Sequence, residues 1–392
     1  MSEVARTPEA TDDLANDLPN DELARAAVKG RSLLDTALLR LKRNRAAMVS
    51  MWVVIAMTIA AIFGPMLSPH PYDEVYNNFV GVGPSLGTYP KADQIEPITD
   101  RALTRARVDK QSIDISDGRV RVSIINRTDE PLDPRITRYM LRTDIYENVE
   151  LTIASQSPRT GEMTADVKPL RFIMGTDQNG RDLFTRILLS LRISLMVGAL
   201  ATGVALMIGV TYGAVSGFIG GTTDNLMMRF VDLLYSLPFV FFVILLVVFF
   251  GNNIFLIFIA VGCIQWLDMA RITRGQTLQL KQQEFVQASQ ALGVSRGDII
   301  RRHIVPNLAG TVVVYMTLLI PRVILLESFL SFLGLGVQEP LTSLGVLIAE
   351  GARYMRNDPY LLIFPALTMS ILLFALNFMG DGLRDALDPK DR

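Results

Sequence analysis

The chain has 392 residues, half of them hydrophobic, and a mean hydropathy of +0.32, too apolar for an ordinary soluble protein of this size. Its length is taken up by apolar runs near the ~20 residues that cross a bilayer rather than by two or three soluble domains. The net charge of -1 averages over segregated charges and carries no argument about nucleic acid, which is not among the expected partners; the single cysteine, Cys263, sits in an apolar run and excludes a disulfide framework or a thiol metal site.

Residues 1–30 are acidic and polar (Asp12, Asp13, Asp17, Asp21, Glu22) and read as a disordered tail. Residues 31–45 space Leu33, Leu34, Leu38 and Leu41 helically beside Arg40, Lys42, Arg43 and Arg45, the pattern of an amphipathic helix on a membrane surface. That basic cluster just before the first apolar run, 46–67, puts the N-terminus in the cytoplasm. The first run starts too late for a cleaved signal peptide, so the N-terminus is expected to be retained.

Residues 72–172 are charged, lack a long apolar run and fall outside the inner membrane in this topology. Ile113, Ile115, Val120, Val122 and Ile124 alternate around Asp117-Gly118, a hairpin signal, and Tyr146 to Ile153 alternates similarly. A small β-rich extracytoplasmic insert is expected between the first two spans. Further spans are expected at about 193–215, 226–250 (with Pro238 inside), 254–269, 311–333 and 360–379. The predicted fold class is thus an all-α polytopic membrane protein with six transmembrane helices, a core over 175–390, and both termini in the cytoplasm. The same topology places the Arg- and Lys-rich stretch 271–302 inside.

The polar segment 284–307, EFVQASQALGVSRGDIIRRHIVPN, interrupts these spans. Glu284 to Leu292 has good helix formers, with small Ala288, Ser289 and Ala291 leaving room for a partner's approach. Gly293 suits the left-handed position that ends a helix. Ser295 with Asp298 resembles a capping box for a second helix, and Pro306 marks its break before the fifth span. From spacing alone, a docking surface and a plain interfacial connector are both open. Arg301, Arg302 and His303 suit either a partner protein or anionic lipid.

Catalytic signals are missing. There is no G-x-x-x-x-G-K-[ST] phosphate loop, and His70 and His303 stand alone on opposite sides of the membrane, which excludes H-E-x-x-H and a histidine-rich zinc site. The chain is expected to be no enzyme and to bind no cofactor or metal. Asp177, Arg181 and Asp182 could touch substrate or a second subunit, or cap a helix and pin it to the membrane surface. Arg322 and Glu327 are ionisable groups within a span, costly there unless they face a cavity, the bundle interior or each other. Five residues apart on one helix, they are not assured as a pair. Lining a translocation path and locking a subunit interface both remain open for them, with Glu327 favouring the structural role.

Segment 284–307 resembles the EAA loop of ABC-importer permeases: Gln287-Ala288-Ser289 stands for E-A-A, with Gly293 and Pro306 at matching spacing. Gln287 replaces the family's glutamate and Ser289 its second alanine, so no ion pair forms at Gln287. Gly175-Thr-Asp-Gln-Asn-Gly-Arg-Asp182 resembles the G-T-D-x-x-G-R-D signature of the peptide and nickel permeases. Gly217, Gly220, Gly221, Asp224, Met228, Arg229 and Pro238 fit that group's second-to-third span turn. Leu326 to Gly336 and Gly380 to Pro389 fit its last two spans. The resemblance is greatest to the C-type membrane subunit of oligopeptide permeases and covers 31–67 and 175–392, leaving the insert as the main departure.

The resemblance implies a homologous second permease, two cytoplasmic ABC ATPases that use the ATP, and an extracytoplasmic peptide-binding protein. It implies that Glu284, Gln287, Ala288, Ser289, Gly293, Arg302, His303 and Pro306 couple to the ATPases. Dipeptide or nickel-chelate import is the near alternative. A secondary transporter driven by an ion gradient is the alternative of another class, though the spans hold few acidic residues and show no repeat.

Overall fold

The computed structural model describes residues 39–155, 157–251 and 254–387. The expected tail, most of the amphipathic helix of 31–45 and the last residues of the Gly380 to Pro389 motif lie outside that range. The first long apolar helix among the described residues, α1 (Arg45–Leu67), is capped by Asn44, whose side chain accepts from the Ala47 N–H at 3.2 Å. Its outward side keeps Trp52, Ile59, Phe63 and Met66 exposed, as a lipid-facing surface requires.

A mixed unit follows. Strands β1 (Val108–Ser116), β2 (Arg119–Asn126), β3 (Tyr146–Ile153) and β4 (Thr160–Val167) form one antiparallel sheet in the order β1-β2-β4-β3. Asp117 and Gly118 make the β1–β2 turn at φ +50° and +74°, the left-handed pair that a two-residue hairpin demands. Beside the sheet, helices α2 (Ala92–Arg105) and α3 (Thr137–Leu141) also pack, α2 against β1 and α3 against β3. Ile95, Ile98, Ala102 and Leu103 are spaced helically toward Val120, Val122, Ile124 and Met163 in one apolar cluster. Pro97 and the surrounding charges hide this helix in the sequence.

The helical bundle is organised on α4 (Leu183–Ile219), which at 37 residues is roughly 55 Å long. It packs along α7 (Ile254–Leu280) through Gly209, Gly213 and Gly217, one per turn. A Cβ on Gly213 would lie 2.8 Å from Thr273 Cβ, and one on Gly217 2.8 Å from the Arg274 carbonyl. Small residues at this spacing let two backbones approach closely. The expected third span is instead two helices, α5 (Gly221–Tyr235) and α6 (Phe239–Phe250), bent by 81° at the Pro238 break. Two short helices, α8 (Glu284–Ala291) and α9 (Arg296–Ile299), precede α10 (Val305–Phe332). After α11 (Leu344–Tyr354), α12 (Tyr360–Leu387) packs on α1 and α10.

Among the described residues, four helical stretches have the length and apolarity to cross a membrane: 45–67, 183–219, 296–332 and 360–387. The α5–α6 pair makes a fifth if it counts as one span. Pro306 does not stop a helix as expected. Residues 296–332 run on through it because Ile300–Ile304 is π-helical, with the Val305 N–H reaching back to the Ile300 carbonyl. The wider turn accommodates a residue that lacks an N–H, and Asn307 Nδ2 donates to the His303 carbonyl at 2.6 Å.

Candidate functional site

The 284–307 segment lies at the far end of α4 from the sheet. Val286 is its anchor: fully buried, it packs with Ala214 and Phe218 of α4 and with Ile299, Ile304 and Leu308. Around that one apolar contact, Glu284, Phe285, Gln287, Ala288 and Leu292 are exposed. The helix ends as a Schellman motif, with the Gly293 N–H donating to the Gln290 carbonyl at 3.0 Å and the Val294 N–H to the Ser289 carbonyl at 3.1 Å. Gly293 has φ +74°, and no atom lies within 4 Å of a Cβ built on it. The backbone conformation, not crowding, requires glycine there.

Ser295 starts the next helix: its Oγ accepts the Asp298 N–H at 3.2 Å and donates to Asp298 Oδ2 at 2.6 Å. Phe285 and His303 face one another at 6.3 Å between ring centroids, and Arg302 pairs weakly with Asp298 at 3.7 Å. Arg301 and Arg302 remain exposed, and Pro306 is exposed on the helix.

Two side chains in the E-A-A position bond to nearby backbone carbonyls. Gln287 Nε2 donates to the Gln282 carbonyl at 3.2 Å, and Ser289 Oγ donates to the Phe285 carbonyl at 2.8 Å. A glutamate at 287 has no donor for that carbonyl, which is a local physical reason for glutamine. Beside them an open groove of about 800 Å³ is lined by Leu278, Lys281, Gln282, Gln287, Gln290 and Ala291. It lies between the end of α7 and α8.

A second cluster forms where α4 meets the sheet-bearing unit. Asp182 is the N-cap of α4, its Oδ2 accepting from the Thr185 N–H at 2.8 Å and the Thr185 hydroxyl at 2.7 Å. Burial pushes its carboxyl above the usual carboxylate range, while the bonds from Thr185 pull the other way. Asp177 Oδ2 accepts from Arg181 Nε at 2.9 Å and also pairs with Arg186, which reaches Glu350 of α11 at 3.1 Å. Arg181 also holds Glu339 at 2.7 Å. These residues thus tie one loop to α4, to the 334–343 segment and to α11.

The insert is sewn into the same loop. Tyr76 N–H donates to the Gly180 carbonyl at 2.9 Å, Gly81 N–H to Asp177 O at 3.1 Å and Thr176 N–H to Val82 O at 2.9 Å. His70, which stands alone in the sequence, is buried: its Nδ1 lies 2.9 Å from the Tyr76 hydroxyl, its Nε2 lies 3.1 Å from the Arg171 carbonyl, and its ring stacks on Phe172.

Arg322 and Glu327 do not meet. Arg322 is exposed, whereas Glu327 is fully buried and accepts from Ser331 and Ser343. The sequence reading missed Arg186, Glu339 and Glu350, and also Arg274. Arg274 makes a two-pronged bond to Asp224 of α5 at 2.6 Å each, with the Ser216 hydroxyl donating to the same carboxylate at 2.5 Å. An arginine one turn into an apolar helix, as Arg186 is, was the available signal.

Comparison with known proteins bears on both clusters. The family model for the inner membrane component of binding-protein-dependent transport systems matches residues 209–392. The model for the N-terminal TM domain of oligopeptide transport permease C matches 32–86. The oligopeptide transport system permease protein OppC of Haemophilus influenzae is 59% identical over 218 residues, 56% of this chain and 70% of that protein. OppC of Escherichia coli strain K12 is 52% identical over 253 residues, 64% of this chain and 81% of that protein. A solved inward facing conformation of the MetNI methionine ABC transporter aligns at TM-score 0.43 and 15% identity, covering 51% of this chain and 94% of that one.

Proposed function

This chain belongs to the family of inner membrane components of binding-protein-dependent transport systems, and from there we propose that it forms half of the pore of an ATP-driven oligopeptide importer. It is a permease subunit of an ABC importer, not an enzyme, and the ATP is hydrolysed by separate subunits. Six crossings follow if α1, α4, the broken α5–α6 pair, α7, α10 and α12 each span once. Both termini then lie in the cytoplasm, and the sheet-bearing unit of 72–172 lies outside, where it adds contact area for a binding protein. A homologous permease completes the pore, and two ABC ATPases dock on the opposite face.

The observation that carries the coupling role is the exposure of α8. One buried valine fixes the helix to the end of α4, and its remaining surface, including Ala288 and Leu292, is open beside a groove. A rigid contact at that point biases the pore between its access states to the extent that ATP-closed and ATP-open ATPases bind it differently. Because Gln287 commits its amide N–H and Ser289 its hydroxyl to nearby backbone carbonyls, shape at Ala288, Gly293 and Leu292 carries the grip. Glu284, Arg302 and His303 sit at its rim.

The test, in the assembled transporter, replaces Cys263 by serine and introduces Ala288→Cys as the sole thiol of this chain. Crosslinking to an ATPase subunit that changes with ATP is expected, and no ATPase capture would refute the docking role. Uptake of labelled peptides of graded length then tests the substrate class. Failure of oligopeptide uptake with coupling intact would move the substrate alone.

A further inference from the structure

The coupling role leaves Glu327 unexplained. It lies inside α10 with no exposed surface, and no Arg, Lys or His among the described residues pairs with it. An uncompensated carboxylate withdrawn from water is strongly unfavourable, and within a span it is a functional group by default. Oε1 accepts from the Ser331 hydroxyl at 2.6 Å and the Ser343 hydroxyl at 2.7 Å, but Oε2 has no hydrogen-bond partner.

The surroundings are hydroxyl oxygens. Ser328 and Ser194 flank the carboxyl. Ser328 spends its proton on the Ile324 carbonyl at 2.9 Å and so turns lone pairs to the site. Ser194 Oγ accepts the Leu344 N–H at 3.2 Å. Two glycines let the 334–345 segment press in: a Cβ on Gly336 would lie 2.5 Å from Ser331 Cα, and one on Gly345 2.8 Å from Ser328 Cβ. One carboxylate and several hydroxyls from α4, α10 and the segment before α11 thus converge.

We propose that this nest binds a single monovalent metal cation of about sodium's size, held by Glu327 Oε2 and the surrounding serine oxygens. All donors are hard oxygens, which suits such a cation. One positive charge neutralises the site, while a divalent ion would leave an excess. A proton on Oε2 would engage one flanking serine oxygen, whereas an ion engages the carboxylate and several hydroxyl oxygens at once. The ion ties α4, α10 and the 334–343 segment together at the sheet-bearing end. It serves as a clamp, not as the energy source, and it stands whether or not the substrate is an oligopeptide.

The experiment uses the assembled transporter in nanodiscs, with radiolabelled sodium binding and thermal unfolding in sodium chloride against N-methylglucamine chloride. Saturable binding of one sodium per copy of this chain is expected, as the difference between wild type and Glu327→Gln. Above the binding midpoint, each tenfold rise in sodium lowers the wild-type unfolding constant about tenfold, and Glu327→Gln loses that dependence. Ser343→Ala and Ser331→Ala, which keep the carboxylate, weaken sodium binding and carry the test should Glu327→Gln fail to fold. No sodium difference between wild type and these variants overturns the proposal. So does a protonated-carboxyl infrared band in sodium that disappears in Glu327→Gln.

Discussion

Replacing Gly293 tests the coupling surface at a point where the cost can be worked out in advance. Its φ of +74° is left-handed, and no atom lies within 4 Å of an added Cβ, so the penalty is the backbone's own. That penalty is about 1–2 kcal/mol for an L-residue, and it shifts the population of the native cap roughly 5–30-fold. Valine, β-branched, costs more than alanine, while asparagine tolerates the left-handed region. The assay measures peptide uptake and ATP hydrolysis in parallel in proteoliposomes, with membrane insertion checked separately. Gly293→Val is expected to insert normally and to hydrolyse ATP without uptake, Gly293→Ala to fall between, and Gly293→Asn to stay near wild type. Normal uptake by Gly293→Val would refute the reasoning. Asparagine as damaging as valine would show that space, not conformation, is at stake.

Three further outcomes follow from the packing and the outer cluster. Gly213→Val places a branched side chain against Thr273 of α7 and is expected to cost more than about 3 kcal/mol, whereas Gly203→Ala, with nothing within 4 Å, is expected to stay within about 0.5 kcal/mol; thermal unfolding of the purified subunit reads both. Arg186→Ala leaves Asp177 with Arg181 as its remaining ion pair and Glu350, 35% exposed, without Arg186, and is expected to cost about 1.5–3 kcal/mol, a loss that Glu350→Gln in the same chain should partly relieve. Asp182 has its folded-state titration raised by burial, so its favourable contribution is full in acid and fades as pH rises through that point. Asp182→Asn keeps an acceptor for Thr185 and should flatten the unfolding midpoint between mildly acidic and neutral pH; an unchanged slope would count against the assignment.

What was legible in the sequence depended on local rules. The turn at Asp117-Gly118, the strand beginning at Tyr146 and the caps at Gly293 and Ser295 each follow from a few neighbouring residues, and the structure places them there. Failures came where one element answers to another. Pro306 reads as a stop, but the π-helical turn before it absorbs the missing N–H. Arg186 reads as an apolar helix's stray charge until Asp177 and Glu350, from distant parts of the chain, are brought to it. His70 reads as a histidine standing alone until Phe172 and Tyr76 enclose it. Gln287 reads as a position without an ion pair, and only the fold shows the Gln282 carbonyl that it satisfies.

The two clusters are less separate than their distance suggests, because one helix ends in both. Asp182 starts α4 inside the loop that Tyr76, Gly81 and Val82 hold to the insert, and Phe218, in the last turn, packs on Val286 of the coupling segment. Between them, Gly209, Gly213 and Gly217 seat α4 against α7 so closely that no side chain separates the backbones. A packed interior admits discrete arrangements rather than gradual bending. A shift of α8 must therefore either carry α4 with it, and so reach the ion pairs at Asp177, or break the contact at Val286. The second course leaves α8 held by its caps alone, with its one buried anchor lost. Val286 is thus the residue on which transmission between the two ends depends, even though it resembles no part of the motif that first drew attention to the segment.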